Sequence, residues 1–118
     1  MSEFKPFTIE KPWGDFRQFN LNTPVTVKII AIKAGEAISL QSHAKRSEFW
    51  HIVSGGGVVE IGGNEYNAKE NNEYNISCNT KHRAMAGLDG LVFLEVSTGD
   101  FDEEDIVRYE DKYGRAKK

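Results

Sequence analysis

The chain holds three histidines, His43, His51 and His82, and two of them sit where side chains can converge. Gln41 and His43 are two residues apart. On a strand, such a pair projects from one face. Glu48 follows His43 across the polar stretch Ala44-Lys-Arg-Ser47. A chain reversal in that stretch returns the strand from Glu48 beside the first and brings its carboxylate to the same face. His82 opens a distant strand and can supply a second imidazole. Gln41, His43, Glu48 and His82 together offer two nitrogens and two oxygens. That mixture suits one divalent ion, zinc first, with manganese, iron, cobalt or nickel as alternatives, over magnesium or calcium. One carboxylate against a divalent cation leaves a site of about +1, which attracts an anion or stabilises a developing oxyanion.

Other residues cluster around this set. Arg46 lies two residues before Glu48, where a guanidinium can pair with a phosphate or an enediolate, or simply face solvent. Lys28 shares the face of Ile30 and Ile32 in an apolar strand. Its ammonium must reach solvent or face a polar cavity, where it can carry a proton. Ser39 shares the face of Gln41 and His43; it either binds substrate or satisfies a neighbouring strand. Trp50 has the parity of Glu48 and belongs to the pocket floor or the core. His51 has the opposite parity and points away.

The elements needed to position these groups are strands. Val25–Ile32 is rich in β-branched residues, and Lys33-Ala-Gly-Glu36 reads as a turn. Phe49–Val53 is a second run, closed by Ser54-Gly-Gly-Gly57. Val58–Ile61 and Glu65–Ala68 flank Gly62-Gly-Asn64, a hairpin signal. Glu73–Ile76 alternates, His82–Ala86 is short, Gly87-Leu-Asp-Gly90 turns, and Leu91–Val96 is a strong strand. Lys11-Pro-Trp-Gly14 reads as an arm before the first strand. Many short strands with regular turns predict an all-β sandwich or barrel. One helix start is visible. Asp102 can cap, with Asp105 three residues on and Ile106-Val107 as the apolar anchor of one or two turns.

Composition narrows the function classes. The 118 residues predict a single domain over 1–118, and 39% hydrophobic with 28% charged residues is the balance of a globular chain. A net charge of −3 argues against a nucleic-acid partner. Cys78 is the one cysteine, which excludes an internal disulfide and suits a reducing cytoplasm. No apolar run is long enough for a membrane helix, and the first residues lack the apolar segment of a signal peptide.

Gly35, Gln41, His43, Glu48 and Gly55 have the spacing of the first cupin motif, with Gln41 in place of a usual histidine. Asn75-Ile-Ser-Cys-Asn-Thr-Lys-His82 resembles the second. Lys11-Pro-Trp-Gly14, the stretch Ser39–Trp50 and the stretch Asp105–Arg115 resemble the C-terminal cupin domain of type II mannose-6-phosphate isomerases, usually fused to a mannose-1-phosphate guanylyltransferase. The resemblance runs from Lys11 to Arg115. It departs at Ser77, where Pro is usual, at Asn79, where Gly is usual, at Ala86, where Asn is usual, and at Phe49, where His is usual. It implies a cupin double-stranded β-barrel (jelly roll) with at most one short C-terminal helix. It further implies a metal held by Gln41, His43, Glu48 and His82, and isomerisation of mannose 6-phosphate and fructose 6-phosphate. Arg46 and Lys28 are then the catalytic candidates and Ser39 a substrate contact, with Lys28 facing the cavity. The rival reading is a stand-alone metal-binding cupin without isomerase activity, a sugar- or anion-binding module, with an iron-dependent oxygenase as the third and lesser alternative. The resemblance also suggests paired barrels. A homodimer through the Phe49, His51 and Val53 face is expected, because so small a barrel has little to cover it.

Overall fold

The computed structural model describes residues 5–116. Nine strands follow one another: β1 Phe7–Lys11, β2 Gly14–Gln18, β3 Val25–Ile32, β4 Leu40–Ser42, β5 Arg46–Ile61, β6 Asn64–Ala68, β7 Glu73–Ile76, β8 His82–Gly99 and β9 Val107–Glu110. Every pairing is antiparallel. β1 and β2 form a hairpin by themselves; the other strands form one sheet around the β5–β8 pair.

β5 and β8 are much longer than the sequence predicts, 16 and 18 residues. Ser54–Gly57 and Gly87–Gly90 read as strand ends, yet both segments continue their strands. The pair crosses this region with register shifts at Ile52/Ser54 and Gly55/Gly57, so the strands bend without stopping. The glycines permit the crossing. A Cβ at Gly55 would collide with the carbonyl oxygen of Gly90, and one at Gly57 with that of Met85. The bend gives each strand two sets of neighbours. The first half of β5 pairs with β7 and the second half with β6. The first half of β8 meets β4 and the second half β3. Two strands thus supply side chains to both walls of one barrel.

The core lies between those walls. Ile52, Val59, Ala84, Leu91 and Phe93 are fully buried, and the Trp50 and Phe93 rings lie 4.4 Å apart. Burying a side chain of this size stabilises the fold by about 1.5–3 kcal/mol. In β3 the even positions Lys28, Ile30 and Ile32 turn inward while Val27 and Ile29 stay exposed, as their alternation predicts. Gly62 and Gly63 both have positive φ, 58° and 86°, the geometry of a two-residue hairpin turn.

Three expectations are corrected. Among the described residues there is no helix. The Asp102 carboxylate accepts the Glu104 N–H at 2.9 Å and its carbonyl accepts the Asp105 N–H at 3.0 Å, forming a turn. Asp105 caps no helix; its carboxylate accepts the N–H groups of Ala44 and Lys45 instead. Ile106 then leads into β9. The Lys11–Gly14 arm is the tip of the β1–β2 hairpin, with Trp13 73% exposed. Finally, the face through Phe49 is not bare. Phe19 covers Phe49 at 5.9 Å between ring centroids, and His51 donates to Glu73, which also binds Arg17. Only Val53 of the three remains well exposed. No helix of the described residues is long and apolar enough to cross a membrane.

Candidate metal centre

Three strands and one turn build the site. β4 carries Gln41 and ends just before His43; β5 carries Glu48 near its start; β8 opens on His82, which lies directly across from Gln41. His43 Nε2 lies 3.4 Å from Glu48 Oε2, and His82 Nε2 lies 3.6 Å from Glu48 Oε1. Ligand atoms of all three residues fall within 4.8 Å of one another, and all three residues are buried.

The rings are held in the form a metal requires. His43 Nδ1 donates to the Asp105 carbonyl at 2.8 Å, and His82 Nδ1 to the Thr80 carbonyl at 2.9 Å. A carbonyl only accepts, so the proton sits on Nδ1 and the Nε2 lone pair faces Glu48. Burial pushes both imidazoles below their ordinary range, which keeps them neutral. Burial opposes ionisation of Glu48, but the hydrogen bonds from Glu95 and Arg46 hold its carboxyl low. Its Oε1 accepts Trp50 Nε1 at 3.0 Å and its Oε2 accepts Arg46 Nε at 3.1 Å. Two neutral imidazoles with orienting carbonyls and one ionised carboxylate fit a divalent cation of the zinc-to-manganese group. Gln41 spends its amide nitrogen on Ser39, at 3.2 Å to the carbonyl and 3.0 Å to Oγ, which leaves the amide oxygen as its possible ligand.

Arg46 is buried beside this set. Besides Glu48, it donates to the Asp102 carbonyl at 3.2 Å and to His43 Nε2 at 3.3 Å, and it lies over the Phe101 ring. The guanidinium therefore touches the same two atoms that a cation would use. Outward from here opens a cavity of about 190 Å³, lined by Lys28, Ile30, Gln41, Glu48, Glu95 and Arg108 among others. It adjoins a second of about 420 Å³ toward Glu104 and Val107; Glu103, Ile106, Arg108 and Arg115 line both.

Residues 3–111 match the family described as mannose-6-phosphate isomerase C-terminal. The chain belongs to that family. A mannose-1-phosphate guanylyltransferase from Salmonella montevideo is 38% identical over 109 residues, 91% of this chain and 23% of the relative. The chain thus spans under a quarter of the length of such relatives. Among solved structures, the capsular polysaccharide assembling protein CapF from Staphylococcus aureus superposes with a TM-score of 0.67 at 18% identity, over 91% of this chain and 33% of that one. A cupin protein from Bacteroides fragilis gives a TM-score of 0.60 at 22% identity, over 70% and 75%. The fold is the cupin jelly roll.

Within this family domain, the structure brings Gln41, His43, Glu48, Arg46 and His82 to one end of the cavity. Lys28 lies on the cavity wall, with Nζ 3.2 Å from Glu103 and over the Phe101 ring. Ser39 is buried and holds Gln41. The departure at Asn79 leaves the turn before β8 intact. Asn79 adopts φ +64°, a conformation that asparagine tolerates better than most residues, and its N–H donates to the His43 carbonyl at 2.7 Å. Glu95 escapes the sequence reading, whereas Arg108 stands in the tail stretch that the resemblance covers and only the structure places it at the cavity. Glu95 is buried opposite Lys28 and Trp50 in the register. Burial and the adjacent Glu48 raise its carboxyl to about 8. An acid in the middle of Leu91–Val96 was its available signal.

Proposed function

We propose that this domain interconverts mannose 6-phosphate and fructose 6-phosphate, using a divalent metal held by His43, Glu48 and His82 with the Gln41 amide oxygen. The observation that carries the reading is the pair of buried imidazoles, each fixed by a carbonyl so that Nε2 faces one carboxylate, at the end of a polar cavity. A divalent cation held there supplies Lewis acidity toward the sugar's reacting oxygens. The chain's own residues supply the rest. Arg46 offsets negative charge as it develops on an enediolate. Glu95, protonated near neutral pH, can hold and return a proton at the cavity wall. Lys28, tied to Glu103, keeps a positive charge at the rim. Trp50 closes the inner end and fixes Glu48 Oε1.

A second reading rests on one residue. Arg46 already satisfies His43 Nε2 and Glu48 Oε2, so the domain can stand as a sugar-phosphate-binding module with a guanidinium in place of a metal. Conversion of mannose 6-phosphate, coupled to a dehydrogenase readout, separates the two. The isomerase reading expects turnover that chelator abolishes and added zinc or manganese restores. Absence of turnover across the metal series, with sugar phosphate still bound, would leave the binding module.

A further inference from the structure

A phosphorylated substrate needs a cation away from the reacting end, and Arg46 stands at that end. Its Nε, Nη1 and Nη2 have Glu48, Asp102 and His43 as partners. The other cations at the cavity also have partners. Lys28 pairs with Glu103, and Arg115 binds Asp111 through Nε and Nη2 at 2.7 and 3.1 Å. Arg108 differs. It stands on β9 directly across from Gln41, and it lines both the inner cavity and the adjoining one. Its Nε is buried and has no hydrogen-bond partner; among the described residues only Ser97 Oγ shares that condition. Buried guanidinium N–H groups are seldom left unpaired in a native protein, because water has been removed and nothing replaces it. An acceptor that reaches Nε through the cavity would supply the missing partner. A guanidinium offers parallel N–H groups that match two oxygens of a phosphate.

We propose that Arg108 is the phosphate-holding residue of the cavity and takes the phosphomonoester of the substrate, while the histidine end faces the sugar's reacting carbons. The assignment rests on the sugar-phosphate reading above but is tested by binding as well as by turnover. The full chain, as purified, is titrated calorimetrically with inorganic phosphate, mannose 6-phosphate and mannose, and its melting is followed with each. Phosphate and mannose 6-phosphate should bind and raise the melting temperature of the wild type, and mannose should do so more weakly. Arg108→Gln should weaken both phosphate ligands at least about tenfold, leave mannose unchanged, and, without ligand, melt no lower than the wild type, since it removes an unpaired N–H. Arg108→Lys should recover part of the affinity. In turnover, Arg108→Gln should raise KM and spare kcat.

Phosphate binding that Arg108→Gln leaves intact, or a wild type indifferent to phosphate, overturns the assignment. If Arg108→Gln does not fold, Arg108→Lys decides; wild-type phosphate affinity in that variant overturns it as well. The two readings fail separately. Absent turnover with Arg108-dependent phosphate binding removes the isomerase and keeps this site. Turnover with an unchanged KM in Arg108→Gln removes this site and keeps the isomerase.

Discussion

The two ends of the cavity are built by different means. At the inner end, Glu48, His43, His82 and Arg46 stand on or beside β4, β5 and β8, and their facing atoms are fixed by carbonyls, Trp50 and one another. At the outer end, Lys28 leans on the exposed Glu103, Arg115 pairs with Asp111, and Arg108 Nε has no partner. The inner end is pre-organised before anything binds, as a catalytic or metal-holding centre needs to be. The outer end is assembled largely from the chain after Gly99, and solvent weakens the Lys28–Glu103 pair that joins it to β3. Rigidity lies where charge must be placed accurately. The adaptable part lies where the proposal seats the phosphate.

The largest expected effects are at the inner end. His82→Ala removes one of two imidazoles from a buried three-residue set. Metal affinity should fall by about 100-fold or more, beyond the 10- to 100-fold that loss of a mere orienting partner costs. Calorimetric titration of metal into the chelated variant measures it. The barrel should persist: the His82 ring packs edge-on against Trp50 at 5.6 Å, but it opens β8, and Ile52, Val59, Leu91 and Phe93 keep their packing. Wild-type affinity in that variant would take His82 out of the site.

Arg46→Ala comes next and tests whether guanidinium and metal share atoms. In chelated protein the variant leaves Glu48 buried without its main counter-charge, which should cost about 3–5 kcal/mol in denaturant unfolding. Added metal should restore most of that loss, because it takes the same His43 and Glu48 atoms. Turnover should fall in kcat and kcat/KM together by about two orders of magnitude, the scale of one lost transition-state donor. A loss that metal does not repair would show that Arg46 holds the fold independently of the site.

Glu95 gives the comparison a pH axis. Its folded carboxyl titrates at about 8, above its unfolded value of 4.5. The folded state therefore binds more protons between those values. The associated stability is present at acid pH and is lost as pH rises through about 8. Chelated wild type should lose stability toward that pH, and Glu95→Gln should flatten the slope. Unfolding curves across the range measure it; an unchanged slope in the variant would assign the titration elsewhere.

How much of this was legible varies by element. The cavity-facing parity of Gln41, Glu48, Lys28 and Trp50 was readable because strand alternation leaves two choices and the chain makes one. The lengths of β5 and β8 were not. Glycine runs such as Ser54–Gly57 mark strand ends and strand bends alike, and only the close approach to Gly90 and Met85 tells them apart. The tail misled for a similar reason. Asp102, Asp105 and Ile106 have helix-start spacing, but Asp105 finds the Ala44 and Lys45 N–H groups, partners sixty residues away that local pattern cannot reveal. Glu95 was missed, and the place of Arg108 was left open, because their meaning depends on which strands lie opposite. The Asn79 departure mattered little, since its left-handed backbone keeps the turn.

The smallest expected effect concerns the join between the two ends. Asp105 links the tail to the loop after β4 in two ways. Its carboxylate accepts two backbone N–H groups, at 2.9 Å each, and its carbonyl orients His43. Asp105→Ala removes the first link and keeps the second. Because the carboxylate is solvent-accessible, the lost hydrogen bonds should cost only about 1 kcal/mol in unfolding. Metal affinity should drop by less than tenfold, within the range of an orienting group whose main contact survives. The cost of Asp105→Ala should shrink at acid pH, because the two N–H groups hold the Asp105 carboxyl below its usual range and the wild type gives up that contribution there. That contribution is present above the unfolded value and is lost as pH falls through the folded one. If Asp105→Ala instead removed metal binding as completely as His82→Ala, the tail would be part of the rigid inner end, and the division between the two ends would have to be redrawn at Ile106.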